Sequence, residues 1–188
     1  MQNFAVYFEL GLTHILDPAG ADHMVYLLAL CAFYTFADWK ALLATVSTFT
    51  LGHTITLALS HIGFAKDLET YIEFFIPITI IVTAFLNLLQ KSPKQAGPWR
   101  LILAGVFGLI HGLGFGNFYR MLSAGNENWL LDLLPFTLGI ELGQLILVLG
   151  ITLLGWALPF AFSTKPRDYT LVLSGAAIGA ALLMLMAP

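Results

Sequence analysis

Long apolar runs separated by short polar clusters are the dominant pattern of this 188-residue chain. Uncharged stretches cover 23–37, 41–65, 74–90 (with Pro77 inside), 101–119 and 169–188, and the run 133–164 carries one charge, Glu141. A helix needs roughly 20 apolar residues to cross the hydrocarbon core of a bilayer. The pattern therefore predicts six spans, the first of them short and the fifth ending near Pro159. They are read as helices, since only helices and closed barrels satisfy the backbone in lipid and the alternation of barrel strands is absent. Ahead of them, residues 4–16 are apolar over about half the crossing length, which predicts a short helix lying at, or dipping into, one face. DPAG (17–20) ends it, and Asp22 is expected to cap the first span. The fold class is thus all-α: a polytopic membrane helix bundle of six transmembrane helices plus a short N-terminal interfacial or re-entrant helix, expected as a single integral membrane domain over 1–188.

Composition agrees. The chain is 59% hydrophobic and 10% charged, against about 25% charged in soluble domains. A soluble fold, disorder, a coiled coil and nucleic-acid binding are excluded, and the lipid bilayer becomes the first partner. A net charge of −3 argues against a polybasic surface protein. The one cysteine, Cys31, allows no disulfide within the chain. MQNFAVYFEL lacks a basic segment and a cleavage site, so it does not read as a signal peptide.

Basic residues orient the spans. Lys40, Lys91, Lys94, Arg100, Lys165 and Arg167 fall at one end, and Lys66 and Arg120 at the other. This predicts the first set in the cytoplasm and both termini outside. Trp39, Trp99 and Trp156 then belong to the inner interface, and Tyr71, Tyr119 and Trp129 to the outer one. Two short repeats occur, FTLG at 49–52 and 136–139 and GLxH at 11–14 and 108–111. In so biased a composition four-letter matches do not establish a duplication.

Ionisable groups within spans are costly and point to function. At about 1.5 Å per residue, His53 lies about 10 Å from the outer end of its span, His111 about 12 Å and Glu141 about 13 Å. The short first span sinks Asp22 and His23 toward the same level. Each has a plainer reading: a lone histidine bonds a carbonyl, Asp17 makes a turn, Glu9 is interfacial, and His61 and Glu69 are solvated. The small-residue stripes Gly108, Gly112, Gly116 and Gly139, Gly143 serve close helix packing. Together, three histidines and two carboxylates at one depth without Lys or Arg call for a cation. Protonated histidines are the chemical alternative. Imidazole and carboxylate ligands suit nickel, cobalt, iron and zinc, and the absence of a thiolate pair or Met cluster disfavours copper(I).

GLTHILDPAGADHMVYLLAL (11–30), FTLGHTITLAL (49–59), YIEFFIP (71–77), FGLIHGLGFG (107–116) and LGIELGQ (138–144) resemble the motifs of the HupE/UreJ family of hydrogenase and urease accessory membrane proteins. One departure is the seven residues between His14 and Asp22, where the family pattern has five. The resemblance implies a nickel or cobalt permease of the bacterial inner membrane, with His14, Asp22, His23, Phe49, Glu73, His111 and Glu141 carried over. With His53 from the depth argument, the candidate metal residues are His14, Asp22, His23, His53, Glu73, His111 and Glu141. The expected function is divalent-metal import. A membrane-embedded zinc hydrolase and a non-transporting metal-binding accessory protein are the alternatives, and a homo-oligomer stays open.

Overall fold

The computed structural model describes residues 2–64, 68–90, 97–162 and 165–186. These form seven α-helices and two short 3-10 turns, with no strand among the described residues. The helices are α1 (Gln2–Leu16), α2 (Ala21–Cys31), α3 (Trp39–His61), α4 (Glu69–Leu89), α5 (Trp99–Leu122), α6 (Trp129–Phe162) and α7 (Pro166–Met186). Four of them, α3, α4, α6 and α7, are long and apolar enough to cross a membrane. A fifth, α5, qualifies when Trp99–Gly114 and Gly116–Leu122, bent by 55°, count as one. The bend sits between two glycines, a usual cause of a kink. Exposed Leu51, Ile102, Leu131 and Leu183 clothe the outside, as lipid requires. The expected first span is the element that differs. α2 has 11 residues and rises only about 17 Å, too short to cross a core of about 30 Å. The fifth runs past its expected end to Phe162.

Glycines decide how the helices meet. A Cβ on Gly108 would run into the Phe49 carbonyl, and one on Gly52 into the Gly105 carbonyl. The helices α3 and α5 therefore touch backbone to backbone. Further along, Gly112 meets the His53 carbonyl and Gly116 the Ser60 side chain, so the two helices run parallel. The pair α1 and α6 does the same: Gly11 lies on the Phe136 carbonyl, Gly139 on the Phe8 carbonyl and Gly143 on Ile15. The two pairs oppose each other, because Thr54 meets Thr137 while Thr50 meets Glu141.

These contacts bring the repeated tetrapeptides together crosswise. GLTH at 11–14 lies on the FTLG of 136–139, and GLIH at 108–111 on the FTLG of 49–52. Exchange of equivalent contacts between two units is the pattern of an isologous interface. It extends to side chains, since Thr50 with Glu141 and Thr137 with Thr54 occupy matching positions. Counted from GLxH, the α5 bend at 114–116 falls where α1 gives way to the Pro18–Gly20 turn.

The helix α2 descends against α5: His23 lies beside His111, and Tyr26 beside both His111 and Phe107. It runs opposite to α5 and hence in the direction of α1. The two are halves of one path, broken at 17–20. Alongside, α4 carries a buried polar stripe at a spacing of four, Thr79, Thr83 and Asn87. Each takes a polar side chain from another helix: His111 at 2.9 Å, Tyr26, and Arg100 at 2.9 Å.

Several interfacial assignments change. Tyr119 is not a belt residue: it is fully buried, and its hydroxyl donates to the Trp129 carbonyl. His61 bonds Ser123 Oγ at 2.7 Å and stacks on Trp129, so it is not merely solvated. Arg100 is buried with its guanidinium 3.7 Å from the Phe33 ring centre. Arg167 donates to the carbonyls of Asn87, Leu88 and Gln90, a cation at the negative end of α4. Lys66, Lys91 and Lys94 lie outside the described residues.

Candidate metal centre

The break between α1 and α2 creates the site. His14 sits in the last turn of α1, and Asp22 and His23 in the first turn of α2. The glycine contacts of α3 with α5 bring His53 and His111 in from the side. The His23 ring lies 4.6 Å from that of His14, 5.3 Å from His53 and 5.1 Å from His111. Among the described residues, two sets of three donors each have their ligand atoms within 4.8 Å of one another: His14, His23 and His53, and Asp22, His23 and His111. His23 belongs to both.

These rings are short of partners. His14 Nε2, His23 Nε2, both nitrogens of His53 and His111 Nδ1 are buried with no hydrogen bond. An unsatisfied buried polar atom costs about 1–3 kcal/mol, so one such nitrogen is unusual and a converging group of them is a binding feature. Neutral imidazole nitrogens beside one carboxylate are the donor set of a divalent transition metal. The residues present fit such an ion.

A cavity of about 450 Å³ leads to the cluster, lined by His14, His23 and His111 together with three carboxylates, Asp17, Asp22 and Glu73. Asp17 and Glu73 are exposed at its rim, and no Lys or Arg lines it among the described residues. A passage edged by one sign of charge concentrates the opposite ion. On the other side the floor is aromatic. Phe49 stacks on Tyr26 at 4.6 Å and lies 5.2 Å from His111. Phe115, at the α5 bend, covers His14 at 3.8 Å.

Five of the seven candidates therefore converge: His14, Asp22, His23, His53 and His111. The longer spacing after His14 is absorbed by the Pro18–Gly20 turn. Glu73 lines the same cavity from α4. Glu141 is directed elsewhere: it accepts from Ser47 Oγ at 2.5 Å and from Thr50 Oγ1, in a contact between α3 and α6, and belongs to neither donor set. Asp22 does not cap α2. Gly20 holds the cap position, and Asp22 Oδ1 lies 3.1 Å from His23 Nδ1. Sequence reasoning missed Thr79, Tyr26 and Phe115. Thr79 had a signal, the spacing of four with Thr83 and Asn87 inside an apolar helix. Phe49, a packing residue by position, proves to be the wall behind two imidazoles.

No curated protein and no solved structure matches the chain. A family model described as HupE / UreJ protein matches residues 1–187. With the match covering nearly every residue, on helices suited to a bilayer, this integral membrane protein belongs to the HupE/UreJ family.

Proposed function

We propose that the protein carries a divalent transition-metal ion of the nickel or cobalt type across the membrane, loading it on His14, His23, His53 and His111 with Asp22 supplying negative charge. The observation that carries this reading is the set of buried, partnerless imidazole nitrogens from four helical segments. The acidic rim of Asp17 and Glu73 gives the ion its approach. The stacked Tyr26 and Phe49 close the way onward, so release requires those rings to part.

In this reading α1 and α2 make one broken crossing, which with α3 to α7 gives six, and both termini face outside in a bacterial inner membrane. Cations bind at such helix breaks because chain ends there leave carbonyls and side chains free to ligate.

The test is metal content of the purified protein followed by uptake of nickel, cobalt, zinc and iron into liposomes. Binding and uptake are expected for the wild type, and loss of both for His23→Ala combined with His111→Ala. Full metal stoichiometry in that double variant overturns the site. Stoichiometric binding without uptake overturns transport and leaves the accessory role. Single cysteines at Asn128 and Lys165, which lie in exposed loops at opposite ends, report orientation. Reaction of Asn128→Cys, and not Lys165→Cys, from outside intact cells is expected, and the reverse overturns the topology.

A further inference from the structure

Each neutral imidazole carries one proton, and only its bare nitrogen can bind a metal. The surroundings of two rings determine where that proton sits. His111 Nε2 lies 2.9 Å from Thr79 Oγ1. The same Thr79 oxygen lies 2.7 Å from the Ile76 carbonyl. A carbonyl only accepts, so the single hydroxyl proton of Thr79 is directed to Ile76. Thr79 Oγ1 is then left as an acceptor, and His111 Nε2 must be the nitrogen that donates. The opposite nitrogen, Nδ1, is the one found buried and without a partner.

His23 is arranged the other way round. Its Nδ1 lies 3.1 Å from Asp22 Oδ1, a carboxylate oxygen, so the proton is on Nδ1. Nε2 is the buried, partnerless nitrogen. The two neighbouring rings, 5.1 Å apart, are thus held in opposite tautomers by different groups, one a carboxylate and one a hydroxyl already committed to a helix carbonyl.

We infer that Thr79 is a positioning residue: through its bond to the Ile76 carbonyl it holds His111 in the Nε2–H tautomer and presents Nδ1 to the ion, while Asp22 makes His23 present Nε2. The inference rests on the reading of this cluster as a metal site, and it adds the identity of the donor atoms and the residue on α4 that selects one of them. A histidine ligand is usually fixed in this manner by the group on its other nitrogen. The arrangement also explains a threonine facing inward from an apolar helix. Valine has the same shape and would satisfy α4 alone, but it offers His111 no acceptor.

The experiment is nitrogen NMR of histidine-labelled, metal-free protein at about pH 8, above the imidazole reference of about 6.5, with His111 assigned by the signal lost in His111→Ala. In the wild type His111 is expected as the Nε2–H tautomer. Thr79→Val is expected to redistribute it toward Nδ1–H and to weaken cobalt binding about 10- to 100-fold, the usual range for loss of such a partner. Thr79→Ser keeps the hydroxyl and is expected to restore tautomer and affinity to near wild type. A bare Nε2 on His111 in the wild type overturns the inference, and that measurement needs no variant to fold. An unchanged tautomer in Thr79→Val overturns it as well. The tautomer is read without metal, so a correct tautomer with no cobalt binding at all would defeat the transport reading and leave the role of Thr79 in orienting His111 in place.

Discussion

The pair α3 with α5 and the pair α1 with α6 share one packing solution and differ in what they carry. In both, a GLxH helix lies parallel on an FTLG helix, and glycines meet backbone carbonyls at matching positions. The first pair contributes two imidazoles, His53 and His111. The second contributes one, His14, and has Ile140 where the first has His53. Where α3 has Thr54, α6 has Glu141, so one crossing of α3 with α6 is hydroxyl to hydroxyl and its counterpart hydroxyl to carboxylate. The shared glycines are scaffold, the shared GLxH histidines, His14 and His111, both reach the centre, and His53 is the ligand that one pair alone supplies.

The largest effect should come from acid, which acts on both pairs at once. Metal ligands must be deprotonated, so metal affinity should fall in acid, by about tenfold per pH unit for each imidazole whose protonation competes. Cobalt titrations at several pH values give the slope, and a profile that stays flat until the protein unfolds in acid would refute an imidazole site. Next, His23→Ala removes the ring common to both donor sets and should weaken binding more than about 100-fold, beyond the usual cost of a second-layer partner.

The scaffold is tested by Gly11→Ala and Gly108→Ala. Each forces a methyl into the partner's backbone carbonyl, and overpacking of this kind costs about 1–3 kcal/mol. Thermal melts should show similar losses for the two, with Gly175→Ala, which faces open space, near wild type. A loss at one glycine alone would break the correspondence of the pairs. The smallest effect is expected for Glu141→Gln. It should lower stability by about 1 kcal/mol, the scale of one hydrogen bond, and leave cobalt affinity within a few-fold. A large drop in affinity would return Glu141 to the metal centre.

Much of the fold was legible because crossing a bilayer is a one-dimensional demand. Runs of uncharged residues located α3, α4, α5, α6 and α7 to within a few positions. The same reasoning ranked Glu141 with the histidines, since depth along a helix can be counted while the direction a side chain faces cannot. Glu141 sits near the right level and turns toward α3. The first span was misjudged because its apolar run continues past Cys31 into a segment that is no longer helix. The repeats were visible as letters, but their meaning lay in which copy met which, and that is a property of contacts. Thr79 was missed for a different reason, although its spacing of four with Thr83 and Asn87 was readable. One hydroxyl in an apolar helix has no chemistry until the ring beside it is known.

The long reach between α1 and α6 has a consequence for how the protein is made. Domains form from the N-terminus as synthesis proceeds, yet Gly11 finds the Phe136 carbonyl only after most of the chain has left the ribosome. α3 and α5 can meet earlier, bringing His53 and His111 together with His23 nearby. His14, first among the ligands to be synthesised, is then the last to be seated. A chain inserted only as far as α5 would hold three imidazoles and lack the α6 contact that seats the helix of the fourth.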